Sequence, residues 1–427
     1  MKKTPTPEKR TSMSLFSEHV SKGKADFFQK YNMDFVMGRR KNSVIWDIDG
    51  DHHLINLHCN GGVFNLGHRN PVIIDELISA LDDIDIGNHH LMSQHRSQLA
   101  KKIADSMPGD LSISIFGVSG GEAVDLAIKT ARAFTSRKEI ISITGGYHGH
   151  TGLALSTGDS EYIEPFGSRL PHFKQIPFAD ENALRQAVNS DTAAVIMETI
   201  PATAGIRIPT KQYMIQVRQI CDQAGALLIL DEVQTGLGRT GKLWAFEHFD
   251  IIPDMVVLGK GLSGGIYPIS ATVLRKPLGS VFETHPFSHI STFGGSELGC
   301  CVASKVLDIS TSSEFFEHVN HLSNEFSREL NTLVQKYPKY FVGVRQLGLM
   351  IGLVLKNESA GPALTKAAYD HGLLIVYANN DPSVCQFLPP LNLDIDMIPN
   401  IISKLDAALN TARKLSVLLQ LKNKFNR

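Results

Sequence analysis

Apolar and polar positions along this chain follow two different periods. From Ser43, SVIWDIDGDHHLINL carries apolar residues on either side of a turn at Asp49–Asp51, which predicts a hairpin of two half-buried strands. Beyond Pro71 the texture changes. VIIDELISALDDI, QHRSQLAKKIADSM, EAVDLAIKTARAFT and KQYMIQVRQICDQAG have the three-to-four spacing of helices with one apolar face. Between and after them stand short, nearly continuous apolar runs: SISIFGV, EIISIT, AAVIMET, ALLILDE and DMVVLG. Such alternation predicts an α/β fold, a mostly parallel central sheet covered by helices on both faces. Around residue 312 the pattern shifts again. A long amphipathic helix over Ser313–Tyr337 precedes VGVRQLGLMIGLVL, a short helix, LLIVYA, CQFLPPL and a final helix from about Asp396, a smaller α+β unit. The first 25 or so residues, with TPTPEKR, read as a polar arm without regular structure. The expected division is an N-terminal arm and hairpin joining the small domain (1–65), a large domain (66–312) and a C-terminal small domain (313–427).

Composition narrows the function classes. The formal net charge is −1, so no chain-wide basic field points to nucleic acid or an anionic membrane. Cys59, Cys221, Cys300, Cys301 and Cys385 are scattered and form no CxxC pair, the usage of reduced thiols in a cytoplasmic protein rather than of a disulfide framework or zinc site. The basic N-terminus lacks the apolar run of a signal peptide, and no stretch approaches the roughly 20 apolar residues of a bilayer span.

Candidate chemistry lies at strand ends. In LLILDEVQTGLGRTGKLW, Gly236, Gly238 and Gly241 spell GxGxxG. A dinucleotide loop needs its first glycine at the strand end and its third opening a helix. Here DEVQT intervenes and KLWAFEHFD starts a helix poorly, so these glycines read as a loop shaped for close backbone approach. SISIFGVSGGEAVDLAIKTAR sets Gly117-Val118-Ser119-Gly120-Gly121 between strand and helix. That pattern fits a nucleophile elbow, with Asp231 and His285 or His289 completing a hydrolase triad. It fits equally an anion cup, with Ser119 and the Gly120 and Gly121 amides at a helix N-terminus. The stretch alone leaves both open. PDMVVLGKGLSGGIYPISA is more telling, since Lys260 ends an apolar strand between Gly259 and Gly261, a setting for a Schiff-base or phosphate lysine. An anion cup, a strand-end acid (Asp231) and a strand-end lysine at one sheet edge together fit pyridoxal 5′-phosphate.

With those residues in place, the chain resembles the class III (ornithine/acetylornithine type) aminotransferases of fold type I, from about Trp46 to Leu409. The resemblance rests on GGVFNLGHRNP, VSGGEAVDLAIKTAR, GGYHGHT, ILDEVQTGLGRTG, LGKGLSGGIYP, ISTFGG and FLPPL, in that order. It implies that Lys260 binds the cofactor aldehyde and then shuttles a proton, and that Asp231 pairs with the ring nitrogen. It further implies that Gln234 bonds the ring hydroxyl, and that Tyr147 stacks on the ring with His148 beside it. Glu198 would stand near the ring, and Ser119, Gly120 and Gly121 would cup the phosphate. Ser291 and Thr292 match the position that reaches the phosphate from the partner of a homodimer. The implied reaction is ping-pong transfer of an amino group, a terminal one, to a 2-oxo acid. A racemase, epimerase or amine lyase on the same fold is the alternative.

Two positions depart from the pattern. Gln386, in CQFLPPL, stands where relatives carry a carboxylate-binding arginine, and Thr203 stands where the ornithine type carries a glutamate that toggles with it. A neutral amide lacks the bidentate, charge-assisted grip of a guanidinium. Arg207 is a candidate substitute, whereas Arg345 reads as structural. His89, His90 and His95, in GNHHLMSQHR, lack the spacing of a zinc helix. They fall where the family places substrate-facing residues, so His90 is a candidate substrate contact and no metal is expected.

Overall fold

Residues Met37–Lys41 (β1), Val44–Asp47 (β2) and His53–Asn56 (β3) form an antiparallel meander in the computed structural model, which describes residues 4–425. The expected hairpin is β2–β3, and β3 also pairs in parallel with Leu373–Leu374 (β13), far along the chain. The expected unstructured arm is instead two helices, Pro7–His19 and Lys22–Lys30. Pro7 occupies the first turn, where a missing N–H costs nothing, and the Thr6 side chain caps the Lys9 amide. Lys9 then buries its ammonium against Asp47, 2.8 Å away, and so ties the first helix to the meander.

Seven strands make the large sheet: β4 (Leu111–Gly117), β5 (Glu139–Ile143), β6 (Phe173–Ile176), β7 (Thr192–Glu198), β8 (Leu227–Asp231), β9 (Met255–Leu258) and β10 (Ser270–Arg275). Their order is β4-β10-β9-β8-β7-β5-β6, with β10 antiparallel to both neighbours and the other pairs parallel. Every residue of β7, β8 and β9 is buried, as continuous apolar runs between two helical layers require. The sequence reading missed β6 and β10. β6 is a four-residue edge strand, FKQI, whose Lys174 is exposed, and β10 is a six-residue strand, SATVLR, lying directly after the lysine loop.

Beyond the long helix Ser313–Lys336, the strands β11 (Phe341–Leu347), β12 (Met350–Leu355), β14 (Val376–Ala378) and β15 (Asp381–Phe387) form an antiparallel sheet in the order β11-β12-β15-β14. The helices Ala360–Asp370 and Ile398–Phe425 accompany it. Among the described residues, no helix is long and apolar enough to cross a membrane.

Candidate active site

Register places the candidate groups on one edge. Glu198 pairs with Asp231 across β7–β8, and Asp231 pairs with Val257 across β8–β9. Lys260 therefore follows just beyond Asp231's level, at the carboxyl end of adjacent parallel strands, where open α/β sheets bind ligands. Its backbone lies at φ 40°, a left-handed conformation unusual for a side-chain-bearing residue, and the Ser263 hydroxyl holds its carbonyl at 2.7 Å. The Lys260 ammonium donates to Gln234 Oε1 at 2.7 Å. Burial lowers its pKa, against the opposing pull of the Glu198 and Asp231 charges. A lysine shifted down has more of the neutral amine that attacks an aldehyde.

Asp231 accepts from Val233 N at 2.9 Å through one oxygen and contacts His148 Nδ1 at 2.8 Å through the other. The His148 ring is fully buried. Burial opposes its charge, but the Asp231 hydrogen bond and the Asp231 and Glu198 charges outweigh that, and its pKa is raised. The imidazole thus sits behind Asp231 as a partner that favours the carboxylate. Glu198 accepts from the Tyr147 amide at 2.9 Å, and burial pushes its pKa up to about 7. The next acid along the chain does different work. Glu232 is buried under four donors, the Thr199 and Thr235 hydroxyls and the Ala245 and Phe246 amides, at 2.6–3.0 Å. It holds the glycine loop in shape and does not line the cavity.

The cup is built at the start of the helix Gly120–Thr135. Ser119 Oγ caps the Glu122 amide at 3.2 Å, and the Glu122 carboxylate returns to the Val118 amide at 2.6 Å. The first-turn amides precede the helix's own hydrogen bonds and carry the positive end of its dipole. Close approach of bare backbone makes the cup possible. A Cβ on Gly149, at φ 105°, would lie 2.7 Å from the Gly121 Cα, and one on Gly121 would lie 2.8 Å from Thr151 Oγ1.

Ser119, Gly120, Gly121, Tyr147, His148, Glu198, Asp231, Gln234 and Lys260 line a single cavity of about 280 Å³. Gln386 lies behind Gln234 rather than in the lining, and is buried, its Oε1 accepting from Gln234 Nε2 at 3.3 Å. Thr203 stands behind the wall, its hydroxyl bonded to the Gly145 carbonyl at 3.0 Å. Ser291, Thr292 and His90 are not brought to this cavity. Thr292 and His90 are exposed and Ser291 half-buried, on loops that meet where His90 and Phe287 approach to 6.3 Å between rings. His89 stacks on His90 at 4.1 Å, while His95 contacts Cys301 Sγ at 3.3 Å. Sequence reasoning missed Gly149, His150, Thr151 and Val233 in the lining. It also missed Gly61, where a Cβ would meet the Lys260 ammonium at 3.1 Å. Gly61 and His150 lie within quoted motifs, GGVFNLGHRNP and GGYHGHT, but no residue-type signal separated them from their neighbours. The hydrolase triad does not form, because Asp231 pairs with His148 and His289 pairs with Lys129 at 3.1 Å.

An anion cup at one end, a buried acid backed by an imidazole, and a lysine with lowered pKa fit a phosphorylated pyridine aldehyde. Residues 28–409 match the family model for class-III aminotransferases. The chain belongs to that family. It is 51% identical over 400 residues to an uncharacterized aminotransferase of Archaeoglobus fulgidus, with 94% of each chain covered. It is 34% identical over 430 residues to the putrescine aminotransferase of Pectobacterium atrosepticum, covering 96% of this chain and 90% of that one. The fold matches the ornithine aminotransferase of Toxoplasma gondii with a TM-score of 0.86 at 24% identity, over 96% and 97% of the two chains. The protein is therefore a pyridoxal-phosphate-dependent aminotransferase of fold type I.

Proposed function

We propose that this aminotransferase takes a terminal amino group from a donor that presents no carboxylate at Gln386, and passes it to a 2-oxo acid. The observation that carries this reading is the neutral line Lys260–Gln234–Gln386, two amides in hydrogen-bonded sequence at the reacting lysine. Arg239 and Arg345 are already committed, and Arg207 is exposed. Arg239 is fully buried and bonds Leu349 O, Pro389 O and Asn65 Oδ1, while Arg345 bonds Gly205 O and faces Asp381. An ionised carboxylate placed at Gln386 without a cation costs several kcal/mol. A relative named for putrescine, a donor without a carboxylate, supports the same reading.

When bound, pyridoxal phosphate supplies an aldehyde for the donor nitrogen and a pyridine ring that accepts the electron pair released at carbon. Ser119 and the Gly120 and Gly121 amides would hold its phosphate, and Tyr147 would face its ring. Asp231, held by His148, would favour the protonated form of the ring nitrogen. Lys260 removes the proton from the amine-bearing carbon and returns it during the transfer. Gln234 fixes the lysine's approach and, through Gln386, is itself fixed.

We place Ser291 and Thr292 at the phosphate of a partner subunit in a homodimer. Support comes from their absence from their own cavity and from the exposed Leu91, Met92, Phe287, Ile290 and Phe293 around them, an apolar surface of the kind that seeks a partner. The five buried free thiols support a cytoplasmic setting.

Steady-state kinetics of wild type and Gln386→Arg with 1,4-diaminobutane, ornithine and acetylornithine test the donor reading. Wild type is expected to favour the diamine, and the arginine to raise kcat/KM for the carboxylate-bearing donors about tenfold or more relative to it. A wild type that prefers ornithine, or a preference unmoved by the arginine, would contradict the reading.

A further inference from the structure

Three rings lead outward from the cavity. His150 lines it and lies 5.0 Å from the Tyr147 ring, edge-on, and 5.1 Å from the Tyr162 ring. Tyr162 donates to Asn380 Oδ1 at 3.1 Å, and Asn380 in turn holds the Gly145 carbonyl at 2.8 Å, so the outermost ring is fixed to the loop that carries Tyr147. Carboxylates gather at this end. Glu161, the residue before Tyr162, is exposed, and Asp159 accepts from Gly145 N at 3.0 Å and from Gln175 Nε2 at 2.9 Å. Arg169 is the nearby cation. It bonds Ser156 O and Gln175 Oε1, and its charge is coupled to Asp159.

We propose that this outer end, formed by Tyr147, His150, Tyr162 and Glu161, is a cation site that receives the second ammonium of a diamine donor while the first amine reacts at Lys260. The inference rests on the terminal-amine reading above. An alkyl ammonium remains charged at neutral pH, with an unperturbed pKa near ~10.4. Ring faces and a carboxylate attract such a cation. They repel a carboxylate at the same place, so the surface also selects against amino-acid donors. Asp159 shares its charge with Arg169 and so adds less than Glu161.

The test compares donors that differ only at the far end. Rates are measured for 1,4-diaminobutane and 1,5-diaminopentane against butylamine and pentylamine, with pyruvate as acceptor, in wild type, Glu161→Gln and Glu161→Lys. Wild type is expected to prefer each diamine over its matched monoamine. Both variants should lower that ratio about fivefold or more, through KM at unchanged kcat, and leave monoamine kinetics as in wild type. Unchanged monoamine kinetics also shows that each variant is folded. Equal use of diamines and monoamines by wild type, or a ratio unmoved in both variants, would overturn the cation site and leave terminal-amine transfer intact. A wild type that turns over none of the four amines would overturn the donor reading and this inference with it.

Discussion

At the scale of single residues, adjacent acids have been given opposite tasks by their surroundings. Asp231 faces the cavity with an imidazole behind it, whereas Glu232 turns away beneath four donors. Glu232→Gln would set an amide NH2 against the Ala245 or Phe246 amide and leave a buried donor unpaired. The expected cost is about 1–3 kcal/mol by denaturant unfolding. The effect has a sign in pH. Burial raises the Glu232 pKa to about 7 from 4.5, so the folded state binds more protons between those values, and this contribution weakens as pH rises through that window. The gap between wild type and Glu232→Gln should therefore narrow between about pH 4.5 and 7. An unchanged stability, or a gap that widens with pH, would contradict the role given to Glu232.

At the scale of elements, the cup depends on a helix start meeting a glycine loop. Gly149→Ala would force its Cβ to within 2.7 Å of Gly121 Cα, at a φ of 105° that side chains rarely adopt. Titration of the apoprotein with pyridoxal phosphate should show affinity weakened about tenfold or more, with far-UV circular dichroism unchanged; wild-type affinity would show that the cup tolerates the added carbon. Much of this level was legible in the sequence. Continuous apolar runs marked β7, β8 and β9, and the residues at their ends supplied the lysine, the acids and the cofactor. What escaped was decided by tertiary contact. β10 runs antiparallel within an otherwise parallel sheet, and nothing in SATVLR sets its direction. The first N-terminal helix forms because Thr6 caps the Lys9 amide and the Lys9 ammonium finds Asp47, a partner 38 residues on. Gly61 looked like its neighbours until folding set it beside the lysine.

At the scale of the whole molecule, each chain's cavity holds all the predicted cofactor residues except Ser291 and Thr292. If partners exchange those residues, mixing inactive Lys260→Ala subunits with inactive Thr292→Ala subunits should restore up to about a quarter of wild-type activity, since one site in each mixed dimer has both residues intact. No recovery, with subunit exchange shown by mass photometry of tagged chains, would mean that Thr292 serves its own chain or none. The account as a whole turns on Lys260, the one side chain that unites the sheet edge, the neutral amide line and the family's chemistry. The most direct measurement is borohydride reduction of the pyridoxal-phosphate-loaded protein, followed by digestion and mass mapping. The account predicts one pyridoxyl label per chain, on the peptide containing Lys260, and no label in a folded Lys260→Ala variant. A label on another lysine, or its persistence in that variant, would contradict it.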